Sequence, residues 1–158
     1  IRDRTGLPYA SLVDQRLCEM ARSPRWAVVA LRLNGLEPFA DAYGFVARDD
    51  VLRAVGLIVR RVAHGQGGEG SFVGQLDDSL FIVITTPEYA DRIRSRLDAR
   101  LQEAVAFFYP RMDWEAGRRE DGQPIPRLSV HLGLLTGSAS DRKPPELRAA
   151  IQETVPFA

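Results

Sequence analysis

The chain is 158 residues long with 45% hydrophobic and 27% charged residues, the range of one soluble globular domain built around one core. Its 21 basic and 21 acidic residues cancel, which removes the charge excess that a nucleic-acid or anionic-membrane partner requires, so neither is expected. Cys18 is the only cysteine, excluding a disulfide framework or a Cys-rich zinc site within the chain, and a domain of this size buries roughly 70% of its unfolded surface without either. The longest apolar runs, 26–31 and 80–84, fall short of the about 20 residues that span a bilayer. A cytoplasmic location is therefore expected. The start at Ile1, without a signal-peptide pattern, leads to the expectation of a single domain over 1–158 that is a fragment of a longer multidomain protein.

Helix-period and strand-period segments alternate along the chain, which predicts an α/β or α+β layer structure. A first helix is predicted over Tyr9–Ala21, with Leu12, Val13, Leu17 and Met20 on one face and a stop at Ser23-Pro24. The stretch 26–33 is nearly continuous in apolar residues, as a central strand buried on both faces would be, with Arg32 breaking the pattern near its end. Asp49-Asp50 can cap the next helix, whose Val51, Leu52, Val55, Ile58, Val59 and Val62 form an apolar stripe. Residues 63–71 are glycine-rich but lack the Lys-Ser/Thr ending of a phosphate loop and precede a strand, so a flexible connector is expected. Phe72-Val73 and 80–85 read as two strands of a hairpin joined by 74–79. Pro87 opens a helix carrying Ile93, Leu97, Leu101, Val105 and Phe108, ended by Tyr109-Pro110. A polar excursion is expected over 111–126. It is followed by an alternating strand over 128–135 and a short helix from Pro144-Pro145 with Leu147, Ile151 and Val155 on one side.

Several of these segments resemble one family. Asp3-Arg4-Thr5-Gly6-Leu7-Pro8 is similar to the Asp-x-Leu-Thr-Gly-Leu-Pro entry motif of GGDEF domains, the bacterial diguanylate cyclases that make cyclic di-GMP from two GTP. Phe39-Ala40-Asp41-Ala42-Tyr43-Gly44 with Asp49-Asp50-Val51-Leu52 resembles the family's Ile-Asn-Asp-x-Tyr-Gly-His-x-x-Gly-Asp-x-Val-Leu. The hairpin 74–84 falls where the Arg-Tyr-Gly-Gly-Asp-Glu-Phe signature belongs, and 129–134 resembles a later Ser-Ile-Gly strand. Phe108-Tyr109-Pro110 with Asp113 and Gly117 is similar to a connecting segment of some divergent members. The resemblance implies the palm-like nucleotidyl-cyclase fold, a central and mainly antiparallel sheet of about five strands flanked by helices. Its active site would lie at the hairpin turn and the end of the first central strand.

It also implies where chemistry should be. Joining a ribose hydroxyl to an α-phosphate needs a divalent metal to neutralise developing charge, and the metal needs carboxylates. The family's metal-binding Asp at the strand end falls on Arg32, followed by Leu33, and a guanidinium places fixed positive charge where the ion would sit. The guanine-reading Asn becomes Ala40. The signature becomes Leu76, Asp77, Asp78, Ser79 and Leu80, without the glycines that let phosphate approach the backbone. Asp78 remains at a metal-ligand position and Asp49 at the guanine-contacting one, so these two are the candidate nucleotide-binding residues. Each also has a plain structural reading: Asp49 as a helix N-cap, and Asp77-Asp78 as turn residues. The product-inhibition Arg-x-x-Asp falls on Gly67 and Gly70, and the phosphate-contacting tail lysine is not recognisable in 141–145. His131 has no second ligand at metal spacing, and no Gly-x-Ser-x-Gly signature is present.

The expectation is a degenerate domain without catalytic residues, metal or cofactor, acting as a regulatory or signal-transduction module. It would work through other domains of its own protein, a signalling protein or a homodimer. The alternative is a sensor that holds GTP or cyclic di-GMP without turnover; an active cyclase with Mg²⁺ and GTP is the third reading. If Arg32 lies beside the turn, it can pair with Asp77 or Asp78 and close the emptied position.

Overall fold

The structure is a computed structural model describing residues 6–67 and 70–157. Residues Asp3, Arg4 and Thr5 of the entry motif lie outside the described residues. The described elements, in chain order, are α1 (Ser11–Ala21), β1 (Trp26–Asn34), α2 (Leu36–Tyr43), α3 (Phe45–Gly67), β2 (Phe72–Asp77), β3 (Leu80–Thr85), α4 (Pro87–Ala104), a 3₁₀ turn (Val105–Phe108), α5 (Arg111–Ala116), β4 (Ser129–Gly137) and α6 (Pro144–Thr154).

The strands form one sheet in the order β2-β3-β1-β4, each neighbouring pair antiparallel. The class is α+β as expected, but the described residues hold four strands where the family resemblance implied about five. Only four segments of the sequence carry strand character, and after β4 the chain turns directly into α6.

β1 lies between two strands and is covered on both faces, which is why its sequence does not alternate. Its odd residues Ala27, Val29, Leu31 and Leu33 join Phe39 of α2, the stripe of α3 and Ala90, Ile93, Leu97 and Leu101 of α4 in one core. Its even residues Trp26, Val28 and Ala30 join Val13 and Leu17 of α1 and Leu147, Ile151 and Val155 around α6 in the other. Arg32 is the next even residue. Strand alternation therefore sends a guanidinium into the layer beneath α1 and α6.

Four sequence expectations need correction. α3 begins at Phe45, four residues before Asp49, so Asp49 lies inside the helix and is not its N-cap. The same helix continues to Gly67 through much of the glycine-rich segment, because Val59, Val62 and Ala63 are still buried against the sheet and hold the last turns in register. β2 extends to Asp77, shortening the hairpin connection to Asp78-Ser79. The excursion 111–126 contains α5 and is held by packing: Tyr109 donates its hydroxyl to the Pro126 carbonyl at 2.7 Å and accepts from the Leu128 N–H at 2.7 Å. α2 was not foreseen in the sequence, since eight residues are too few to show a helical period.

Two of the turns with positive φ limit which residue they can hold. Gly35, between β1 and α2, has φ +93°, and a Cβ there would stand 2.2 Å from the Arg127 carbonyl oxygen, so only glycine makes that turn. Ala10, before α1, has φ 55° and ψ −120°, a strained conformation for an alanine. Ala10→Gly is expected to stabilise the fold by about 1 kcal/mol, seen as a higher urea midpoint at unchanged slope. A lower midpoint would mean that the turn is not strained.

Candidate functional site

The β2–β3 register shifts between Gln75 and Asp77: Gln75 opposes Phe81, whereas Asp77 opposes Leu80. Regular alternation would put Gln75 and Asp77 on one face. The bulge at Leu76 turns Asp77 to the other face, the one that carries Arg32. Gln75, fully buried, steadies the turn by donating its amide to the carbonyls of Asp77 at 3.3 Å and Asp78 at 3.5 Å.

Arg32 pairs across β1 with Leu80 on one side and His131 on the other, and is 2% exposed. Its Nη1 donates to Asp77 Oδ2 at 3.1 Å, Asp77 Oδ1 at 3.3 Å and Ser79 Oγ at 3.0 Å. Its Nε donates to the Val155 carbonyl at 3.1 Å, just past α6. Asp77 Oδ1 also accepts the Ser79 N–H at 2.9 Å, closing an Asx turn, and the Ser79 hydroxyl at 3.2 Å. The Phe157 ring lies against the guanidinium, with 4.0 Å between Cζ and the ring centroid.

Of the two carboxylates that the sequence offered to Arg32, the structure brings Asp77 to it. Asp78 is exposed at the tip of the turn. Ser79 and Leu80 are buried, Ser79 within the Arg32 network and Leu80 in the core under α1 and α6; Leu76 packs at the edge of that core. Leu33 and Ala40 are buried beneath the cleft and in α2. Asp49 lies one turn into α3 with Arg48 Nη2 at 3.6 Å. His131 is exposed on β4. The roles of Val155 and Phe157 were not legible in the sequence, because nothing local links Val155 or its neighbours to Arg32, 123 residues before Val155.

Between the β1 end, α2, α3 and the turn lies a cleft of about 560 Å³, lined by Leu36, Glu37, Arg48, Asp77, Asp78 and Phe157 among others. Its donor set does not suit a divalent metal. Asp77 is already engaged by three donor groups and Arg32 occupies the position beside it. Among the described residues, no three His, Cys, Asp or Glu side chains are grouped to hold an ion.

At the C-terminal end of α2, Tyr43 donates its hydroxyl to Asp113 Oδ2 at 2.7 Å, tying α2 to α5. Burial first, then this bond and the charge of Asp113, push the Tyr43 phenol up to about 12. A phenol raised in the folded state keeps its proton while the unfolded chain ionises near 10, so its stabilisation is complete below pH 10 and is lost between pH 10 and 12. The Tyr43→Phe variant is expected to show a smaller fall in stability across that window, and the wild type a delayed phenolate step in absorbance. Superimposable alkaline profiles would refute the Tyr43–Asp113 link.

No protein-family profile matches the sequence, and no curated protein matches it. Solved structures do. The GGDEF domain of TpbB from Pseudomonas aeruginosa superposes with a TM-score of 0.67 at 22% identity, covering 97% of this chain and 87% of that one. The fold is that of a GGDEF domain. The GGDEF domain of DgcB from Caulobacter crescentus, solved with cyclic di-GMP, gives a TM-score of 0.70 at 17% identity over 96% of this chain and 85% of that one. The diguanylate cyclase SiaD from Pseudomonas aeruginosa, solved with its activator SiaC, gives 0.70 at 16% identity over 98% of this chain and 57% of that one. In this GGDEF fold the Arg32 cluster sits at the end of the first central strand and at the hairpin turn. No described helix is long and apolar enough to cross a membrane.

Proposed function

We propose that this chain is a GGDEF-fold module of bacterial cyclic di-GMP signalling that makes no cyclic di-GMP. It acts in the cytoplasm through contacts with other domains, a signalling protein or a second copy of itself. One observation carries the reading: the strand-end position that a metal-binding carboxylate would need is held by Arg32, buried and bonded to Asp77, Ser79 and the Val155 carbonyl. A guanidinium in that seat repels a divalent cation, and Asp77, the nearest carboxylate, is already paired with it.

The open cleft beside Asp78 and Arg48 favours a second reading, a sensor that holds a nucleotide without turning it over. Thermal melts with Mg²⁺, GTP and cyclic di-GMP separate the two, because a ligand at 100 times its Kd adds about 2.7 kcal/mol. The module reading expects no shift with any of them. A shift with GTP and no product supports the sensor instead.

A further inference from the structure

β4 is an edge of the sheet, and its outer side is unguarded. The Leu33 N–H donates to the Ser79 carbonyl at 2.8 Å, so the odd residues of β1 direct their backbone groups to β3 and the even ones to β4. The register then bonds Ser129, His131, Gly133, Leu135 and Gly137 to β1, while Val130, Leu132, Leu134 and Thr136 turn their N–H and C=O groups away from the sheet. Carried across β3 and β2, the same alternation sends the Gln75 N–H off the opposite edge, where it meets the Pro8 carbonyl at 3.0 Å. The two edges differ. β2 has 6 residues, a bulge at Leu76 and the bridge of Tyr9 to Gln75 across it; β4 has 9, in unbroken register and without proline, lysine, arginine or a carboxylate. Sheets ordinarily blunt a long edge with such devices, because its unpaired backbone groups are a template for another strand. Among the described residues, no strand or bridge pairs with the outer side of β4.

We infer that β4 pairs antiparallel with β4 of a second copy about a two-fold axis at Gly133, so that the two sheets become one. Symmetry selects a second copy as the occupant: the outward residues lie evenly on either side of Gly133. With the axis there, Leu132 faces Leu134 of the second copy and Val130 faces its Thr136, as hydrogen-bonded pairs that use every outward group. Leu132 and Leu134 are half-buried against the core under α3 and α4, and the pairing covers what each leaves in water. His131, the titratable residue of β4, lands opposite Leu135, so no like charges meet across the axis, and the chain itself carries no net charge. The flanking helices leave room. α4 and α6 each pack on both β1 and β4, on opposite faces. With strands about 4.8 Å apart, a helix over that pair stands about 10 Å from its mate across the axis, the distance of ordinary helix packing. The axis also closes the assembly at two copies, since each contributes the same edge.

The pairing rests on the proposed reading only in its second-copy arm, and its test reads association, so its failure leaves the question of cyclic di-GMP synthesis where it stood. Sedimentation of the chain is expected to pass from one chain mass to two as concentration rises, and to stop there. Over the same range, exchange of the Val130, Leu132, Leu134 and Thr136 amides is expected to slow several-fold, while the His131, Gly133 and Leu135 amides, already bonded to β1, change little. Thr136→Pro removes an outward N–H at an exposed edge position and leaves the β1 ladder intact; it is expected to abolish the dimer with little change in the melting temperature of dilute protein. A single chain mass at every concentration would overturn the dimer and leave the edge to a strand of other origin. A dimer indifferent to Thr136→Pro, slowing spread evenly over odd and even amides, or growth beyond two copies would overturn the axis at Gly133.

Discussion

Asp77→Ala is expected to cost about 3 kcal/mol of stability, and Arg32→Leu about 1 kcal/mol or less, although the two substitutions break the same ion pair. The difference lies in what each leaves behind. The Arg32 side chain is 2% exposed and that of Asp77 37%. Without Asp77 a buried guanidinium keeps only the Ser79 hydroxyl and the Val155 carbonyl, neither of which offsets its charge. Without Arg32 the Asp77 carboxylate is rehydrated at the surface and keeps the Ser79 N–H, while a leucine continues the even-residue apolar row of β1. Denaturant unfolding of both variants at neutral pH gives the comparison directly. If Arg32→Leu proved the costlier, the pair would be a source of stability in its own right and not a buried charge that needs its partner.

Gly133→Val is expected to destabilise by about 3 kcal/mol, the upper end for overpacking. Gly133 pairs with Ala30 on β1, two residues from Arg32. A side chain there meets Thr154 at its Oγ1, its Cβ and its backbone oxygen, at 2.4, 2.7 and 2.8 Å, so rotation of one side chain cannot clear the space. The end of α6 must lift, and the Val155 carbonyl lifts with it from Arg32 Nε. The variant should therefore lose stability and also speed exchange of the Arg32 Nε–H beyond what a core substitution far from β4 does at equal stability. Wild-type stability in Gly133→Val would show that α6 does not rest on β4 in this way.

Much of the fold could be read from the chain because its cores announce themselves in period. The unbroken apolar run of β1 matches its place between two layers, the stripes of α3 and α4 match one of them and those of α1 and α6 the other. Helix ends were harder. Asp49 looked like a cap, yet Gly44 supplies the turn that starts α3 and the helix runs past it. The glycine-rich segment looked flexible by composition, and tertiary packing of Val59 and Val62 overrode that for its first half. At the site, the pairing of Arg32 with the hairpin could be anticipated from charge and topology. The choice of Asp77 over Asp78 could not, since it depends on a one-residue bulge at Leu76 that no local pattern announces. The part played by Val155 and Phe157 is likewise a property of the folded chain alone.

Whether this fold still makes cyclic di-GMP is decided by incubating the protein with GTP and Mg²⁺ or Mn²⁺ and resolving the nucleotides by chromatography. Under the proposed reading, with Arg32 bonded to Asp77 and Ser79 at the strand end, the expected result is GTP recovered unchanged and no cyclic di-GMP above a protein-free control. Cyclic di-GMP accumulating in proportion to protein would contradict it.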